Sequence, residues 1–172
     1  MADLIIELLS REQIRSVYPL IREAVATIDL ATWLRFARQL TGPRRSGQCG
    51  IVTVRREGRT FPCGLFCYRV EDDLKLGKVL TADHFVAVDL LDPGAVLAAL
   101  VEELDVLAKR QGCEAVRSLV HGGAPTIAGG LYAAGHRPEG ATPLLKKVLG
   151  VARSQCAGSP HATRPVPSPA TG

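Results

Sequence analysis

The stretch that decides the fold reads HFVAVDLLDPGAVLAALVEELDVLAKRQGCEAV and runs from His84 to Val116. Its apolar, strand-like start ends at DLLDPG, and its spacing predicts an amphipathic helix over Ala95–Gln111, with Gly112 as the first residue beyond it. A strand, a glycine turn and a helix N-terminus commonly bind phosphate, because the first helical amides point at the ligand. This turn, however, carries Asp89 and Asp92 where an anion would lie.

Two interpretations of the DLLDPG turn are open at this stage. In the first, the turn is an anion site whose conventional binding is weakened about a hundredfold or more, because repulsion by a carboxylate about 5 Å from a phosphate and strain at the missing glycine exceed the attraction of the helix N-terminus. The carboxylates could still point away, or Arg44 and Arg45 could compensate. In the second, Asp92 is the N-cap and Pro93 the first residue of an ordinary helix, so that no ligand is required.

Hydrophobic periodicity and turn residues predict the other elements. Ser10 and Gln13 have capping-box spacing at a helix start, and Pro19 predicts a kink or break in that helix. This order of elements is that of a mixed α/β fold with a crossover helix in the middle. The predicted elements are a strand at Asp3–Leu9, helices at 10–28 and 29–42, strands at Ile51–Arg55, Phe61–Val70, 77–91 and 113–121, a short helix at 122–135 and an extended pair at 136–150.

Length and composition predict one domain at residues 1–150 and a disordered tail. The chain has 172 residues, and residues 151–172 are rich in Pro, Ala, Ser and Thr. The formal net charge is +4, and Arg153 and Arg164 supply half of it from the tail. The body is therefore nearly neutral, and we expect no nucleic-acid partner.

The distribution of apolar residues and cysteines bears on location and metal binding. No apolar run approaches the roughly 20 residues that span a bilayer, so we expect no membrane partner. The five cysteines are odd in number and contain no CxxC pair. We therefore expect reduced thiols in a cytoplasmic protein and no metal site.

The order of elements resembles that of the GNAT acyltransferase superfamily over roughly Leu4 to Leu149. VLAALVEELDVLAKRQGCEAV is similar to the family's central helix, terminal glycine and next strand. APTIAGGLYAAGHRP resembles a second family pattern, with Tyr132 in the place of the family's tyrosine and His136 in that of its phenylalanine. The resemblance implies a central mixed, mostly antiparallel sheet flanked by helices.

The family's acyl-CoA loop, Gln/Arg-x-x-Gly-x-Gly/Ala, falls on DLLDPG in this sequence. Asp89 then replaces the Gln/Arg, Asp92 replaces the first glycine, and only Gly94 is kept. Pro93 between them has no amide to donate. The resemblance therefore places an acyl-CoA pyrophosphate loop here, and the residues make it a degenerate one.

The resemblance implies an acyl-CoA-dependent N-acyltransferase, in which an amine attacks the thioester of acetyl-CoA or another acyl-CoA directly. Tyr132 is then the acid for the leaving thiolate. The base is His84 or Asp83, which alternate along a predicted strand and so point to opposite faces, or else His121.

The same resemblance implies which residues bind the acyl-CoA. They lie on the fourth strand and at the start of the next helix: Val86, Ala87, Val88, Gly94 and Ala95. The acceptor is a small-molecule or peptide amine, and a homodimer is left open.

The aspartates of the loop leave two further alternatives. In one, the domain has lost acyl-CoA binding and serves as an interaction or regulatory module. In the other, the acyl donor is not CoA but a group such as an acyl-carrier protein, whose single phosphate needs less of the loop.

Overall fold

The computed structural model describes residues 3–42, 47–120, 125–139 and 143–148. Within them the elements follow the predicted order, which confirms the mixed α/β fold with a mostly antiparallel sheet and flanking helices. The elements are β1 Leu4–Leu8, α1 Tyr18–Ala24, α2 Leu30–Leu40, β2 Cys49–Arg56, β3 Gly64–Asp73, β4 Gly77–Ala87, α3 Pro93–Arg110, β5 Ala115–Leu119, α4 Pro125–Ala133, β6 Arg137–Pro138 and β7 Pro143–Lys147.

The strands of the described ranges form one sheet in the order β1-β2-β3-β4-β5-β7-β6. Neighbouring strands are antiparallel, except that β4 and β5 run parallel. A parallel pair needs a crossover connection, and α3 supplies it. The C-terminal end of β4, which precedes α3 in the chain, therefore lies in the middle of the sheet.

Side chains of β3 alternate between two buried layers. Leu65 and Cys67 pack with Trp33 of α2 on one face of the sheet. Phe66 packs with Leu100 of α3 on the other face. The sheet is thus covered by α1 and α2 on one side and by α3 and α4 on the other, and burial of these apolar side chains drives its formation.

The first helix is shorter than the sequence predicts. It begins at Tyr18 rather than at Ser10, and residues 11–17 form turns. The Ser10 amide still donates to Gln13 Oε1 at 3.1 Å, as the capping-box spacing predicts. Pro19 lies in the first turn of α1 instead of kinking a longer helix. The reason is that proline lacks an amide hydrogen, which a first turn does not need and a helix interior does.

The central helix begins and ends at the predicted capping residues. Asp92 is its N-cap, and Asp92 Oδ1 accepts a hydrogen bond from the Ala95 amide at 2.9 Å. Pro93 occupies the first turn. Beyond the helix, Gly112 has a φ of 66°, the left-handed conformation that glycine adopts without steric cost.

Close packing of α3 on the sheet depends on Gly64 of β3. A Cβ atom at this position would lie 2.5 Å from Val96 Cγ1 and 3.1 Å from Leu100 Cδ1. Because such distances are shorter than van der Waals contact, a larger residue would push α3 away from β3. Gly64 therefore fixes the position of the N-terminus of α3 relative to the end of β4.

Several sequence-based predictions lie outside the described residues, namely those for Arg44, Arg45, His121, the boundary at residue 150 and the tail. In the part of the chain that the structure describes, no helix is long and apolar enough to span a membrane. In the same part, no group of three or more His, Cys, Asp and Glu residues is arranged to hold a metal ion.

Candidate active site

The strands β4 and β5 separate at the middle of the sheet. Their parallel pairing joins residues 79–82 to residues 115–118, while β4 continues along β3 as far as Ala87. A cavity of about 300 Å³ occupies the gap between them. It is lined by Glu23, Ala24, His84, Phe85, Val86, Ala87, Val88, Leu119, Val120 and Ile127.

A β-bulge interrupts β4 where it enters this gap. Leu65 pairs with Val86 and Cys67 with Asp83, so one residue of β3 faces two residues of β4 between these pairs. His84, the first of the two, has a φ of 53°. Histidine is one of the few residues enriched in this left-handed region, and bulges often lie next to binding sites because they redirect a side chain.

The bulge corrects the prediction that Asp83 and His84 point to opposite faces. His84 Nε2 lies 3.9 Å from Asp83 Oδ2. The His84 ring also contacts Phe36 of α2 edge to face, with ring centroids 5.6 Å apart. The extra residue resets the alternation of the strand, so both candidate bases lie on the side of the sheet that α1 and α2 cover.

The predicted donor-binding residues of β4 line the same cavity as His84. Val86, Ala87 and Val88 are all among its lining residues. The Val88 amide donates to the Cys63 carbonyl on the β3 side at 2.8 Å. Because successive amides of a strand point to opposite edges, the Ala87 amide faces the gap.

Tyr132, the predicted acid, lies on α4 with 43% of its surface exposed. Ile127 is the residue of α4 that lines the cavity. The Tyr132 carbonyl accepts a hydrogen bond from Arg137 Nη1 at 3.2 Å. Tyr132 therefore lies on the same helix as a residue of the cavity wall but is not itself among the lining residues, and its role stays a prediction.

The turn after β4 is organised around the Asp89 carboxylate. Arg56 of β2 donates to Asp89 Oδ2 at 2.6 Å and to Asp89 Oδ1 at 3.0 Å. The amides of Leu91 and Asp92 donate to Asp89 Oδ1 at 2.7 and 3.0 Å. Hydrogen bonding to the Arg56 guanidinium, aided by these amides, lowers the pKa of Asp89. An ionised carboxylate thus accepts the hydrogen bonds of two amides of the turn and of Arg56.

The remaining donors of the turn do not fit a diphosphate. Of the four amides that the turn offers from Leu91 to Ala95, Pro93 having none, three bind carboxylates of Asp89 or Asp92. The structure therefore confirms the interpretation in which Asp92 caps an ordinary helix. A diphosphate at this turn would have to displace Asp89 from two amides and from an arginine.

Arg56 is the residue of this turn's hydrogen-bond network that sequence reasoning missed. It precedes Asp89 by 33 positions and lies on β2, which is separated from β4 by β3. β2 and β4 both run antiparallel to β3, so they run in the same direction. The C-terminal ends of the two strands therefore lie at the same end of the sheet. No local spacing signals this pair, because only the order of the strands brings the two ends together.

A groove of about 570 Å³ lies between α3 and α4. Glycines and small apolar residues form most of its described lining, in which the charged residues are Glu102, Asp105 and Lys146. Lys146 Nζ donates a hydrogen bond to Asp105 Oδ2, so the negative charge of Asp105 offsets the positive charge of the lysine. With two carboxylates against one lysine, this groove gives a phosphate little electrostatic attraction.

No protein-family model matches the chain, and no curated protein matches it. Solved structures match with probability 1.00. An acetyltransferase of the GNAT family from Streptococcus pneumoniae is 13% identical, with a TM-score of 0.64 over 85% of this chain and 99% of that chain. The ribosomal-protein-S5-alanine acetyltransferase of Vibrio fischeri is 12% identical, with a TM-score of 0.70 over 88% and 97%. The yncA protein of Salmonella typhimurium, solved with acetyl-CoA, is 12% identical, with a TM-score of 0.64 over 89% and 99%.

These likenesses define the class of fold. The chain has the fold of the GNAT acetyltransferases over most of its length, as the resemblance of its motifs predicted. At such low identity the likeness concerns the fold, so the activity has to be argued from the cavity between β4 and β5 and from the turn that follows.

Proposed function

We propose that the protein is an N-acyltransferase that moves an acyl group from a thioester to an amine in the cavity between β4 and β5. The observation that carries this proposal is the bulge at His84, where the imidazole belongs to a residue that lines the cavity and lies 3.9 Å from the Asp83 carboxylate. Solved acetyltransferases of the same fold support it.

In the proposed reaction the amine nitrogen attacks the carbonyl carbon of the thioester. His84 accepts the proton that the amine loses, and Asp83 stabilises the resulting imidazolium. The Ala87 amide donates a hydrogen bond to the carbonyl oxygen, where negative charge develops. The C–S bond then breaks, and Tyr132 donates a proton to the thiolate, which requires its side chain to face the cavity when the donor is bound.

The donor that we propose is acetyl-CoA or another acyl-CoA. Val86, Ala87 and Val88 would bind its acyl arm along the open edge of β4. Gly94 and Ala95 would adjoin the diphosphate, but the Ala95 amide binds Asp92. The diphosphate should therefore contribute little to affinity, and most of the binding should come from the arm.

The test is to incubate the protein with acetyl-CoA and a panel of primary amines and to measure release of free thiol. We expect thiol release that depends on the amine, and Tyr132→Phe should lower turnover about tenfold or more, since a positioned acid contributes at least that much. Absence of heat when acetyl-CoA is titrated to millimolar concentration, together with absence of thiol release, would refute acyl-CoA as the donor, and absence of transfer from an acyl-carrier protein as well would refute the proposal.

A second candidate function is an interaction or regulatory module that has lost acyl-CoA binding. The occupied amides of the turn favour it, because Asp89 and Asp92 already bind the donors that a diphosphate would use. Under this alternative the parent protein binds no CoA, and the Asp89→Gln/Asp92→Gly double variant gains binding. Transfer from an acyl-carrier protein, but not from acetyl-CoA, would instead identify a carrier-bound donor.

A further inference from the structure

The cavity at His84 continues outward across α1. A second cavity, of about 460 Å³, shares Glu23 and Val88 with the first one. From this boundary it extends over the first turn of α1 to the residues that precede β3. It is lined by Ser16, Val17, Pro19, Leu20, Glu23, Phe61, Pro62 and Val88.

The described residues that line the two cavities include an acidic side chain and neither lysine nor arginine. Among the described residues that line them, Glu23 is the only Asp, Glu, Lys or Arg, and it lies at their boundary. Residues 1–150 contain 19 Lys and Arg against 17 Asp and Glu, so a wall whose described residues include a carboxylate and neither lysine nor arginine differs from this near-even balance. Such a wall attracts a cation and does not attract an anion.

Apart from Ser16 and Glu23, the described residues that line the outer cavity are apolar. Phe61 is 71% exposed and Val88 is 42% exposed, and both line it. Pro19, Leu20 and Pro62 complete the apolar wall. An exposed aromatic ring beside aliphatic side chains, with a few polar groups at one end, is the usual composition of a small-molecule site.

We infer that the acceptor is a small primary amine with an apolar, ring-sized body. Its ammonium lies between Glu23 and His84, and its body lies on Phe61, Pro19 and Leu20. This inference rests on the proposed function for the transfer step, but binding of the amine itself needs no acyl donor.

The test compares three ligands with the full-length protein in the absence of any donor: 2-phenylethylamine, ethanolamine and 2-phenylethanol. Ethanolamine keeps the ammonium and lacks the ring, whereas phenylethanol keeps the ring and lacks the charge. We expect 2-phenylethylamine to bind about tenfold more tightly than ethanolamine, from burial of the ring. It should bind about fivefold more tightly than phenylethanol, from one partly exposed ion pair.

Two variants test which residue is responsible for each of these preferences. Phe61→Ser should abolish the preference for the ring, and Glu23→Gln should abolish the preference for the ammonium. Both side chains are exposed, so the fold should survive either change. Leu74→Ser and Glu71→Gln are the matched controls, because they change an exposed leucine and an exposed glutamate toward the opposite end of β3 and should leave all three affinities unchanged.

The outcomes separate this inference from the proposed function. Equal affinity for the three ligands, or preferences that both variants leave intact, overturns the inference. Selective binding of 2-phenylethylamine without acyl transfer supports the inference and refutes the proposed function. Transfer to ethanolamine as fast as to 2-phenylethylamine, with no difference in binding, supports the function and overturns the inference.

Discussion

Two regions at the end of β4 follow one another in the chain and differ in what they do with their polar groups. In the gap between β4 and β5, a bulge places His84 in the lining of a cavity, with the Asp83 carboxylate 3.9 Å from its ring. In the turn that follows, Asp89 and Asp92 bind three backbone amides, and Arg56 binds Asp89. The first region keeps its polar groups near a cavity, whereas the second binds most of them internally.

The difference shows that one fold can keep one part of a ligand site and close another. The Asp89 side chain is only 6% exposed, and its contacts with Arg56 hold its pKa below the usual range. It therefore stays ionised at physiological pH and acts as an internal anion at the helix N-terminus. Two predictions test this contrast, and two more test the packing of the surrounding fold, from the largest expected effect to the smallest.

The first prediction concerns His84, the proposed base. His84→Asn should lower kcat for acyl transfer about 10²–10⁴-fold, the range that a positioned base contributes. Asparagine is suitable because it also tolerates the left-handed conformation observed at this position, with φ 53°. The measurement is steady-state thiol release, and the thermal unfolding curve checks that the fold is retained.

His84→Ala serves as the control for this prediction, because alanine also removes the base but does not favour the left-handed conformation. It should lower kcat to the same extent as asparagine and lower the melting temperature more. Turnover within a few-fold of the parent in both variants would exclude His84 as the base.

The second prediction concerns the closed turn. Asp89→Asn should raise the affinity for CoA about a hundredfold, since it removes one charge about 5 Å from the diphosphate and leaves Arg56 to pair with phosphate. Affinity for pantetheine, which lacks phosphate, should not change. Calorimetry of both ligands checks this expectation, with Asp72→Asn as a control in an exposed part of β3. An unchanged affinity for CoA would show that Asp89 does not close the turn.

The third prediction concerns the position of α3. Gly64→Ala should destabilise the protein by about 1–3 kcal/mol, because the added methyl group overpacks the contact with Val96. Gly129→Ala is the matched control, since a Cβ atom at Gly129 of α4 meets nothing within 4 Å. Urea unfolding measures both. Equal stability of the two variants would mean that α3 relaxes without cost.

The fourth prediction concerns His136, which follows α4 in the chain and is fully buried. Burial lowers its pKa to about 4 from an ordinary value of 6.5. The unfolded chain therefore binds more protons than the folded one between these values, so stability should fall as pH falls from 6.5 toward 4. The slope from this one group is at most about 1.4 kcal/mol per pH unit.

His136→Phe removes this titration and keeps an aromatic ring in the core. We expect the stability of this variant to vary less with pH than the stability of the parent. At pH 7 the unfolding curves of the two proteins should have nearly the same shape. Urea unfolding at several pH values between 4 and 7 measures the difference. Parallel stability profiles would show that His136 binds its proton equally in both states.

Local sequence was sufficient to predict the order of elements, the N-cap at Asp92 and the end of α3 at Gly112, because each depends on residues within one or two turns. It failed for α1, where the apolar spacing from Ser10 favoured a longer helix and Pro19 instead placed the start at Tyr18. It also failed for the faces of Asp83 and His84, since strict alternation does not hold across a bulge.

The sequence by itself determined that a strand leads through an aspartate-bearing turn into a capped amphipathic helix, and it predicted the GNAT fold. Only the tertiary structure decided what the turn binds, because Arg56 reaches Asp89 from a strand that is not its neighbour in the sheet. The physical reason is the separation along the chain of the residues that interact. Caps and turns form between residues a few positions apart, whereas the pairing of distant charges and the opening of β4 from β5 depend on the order and register of strands from across the chain.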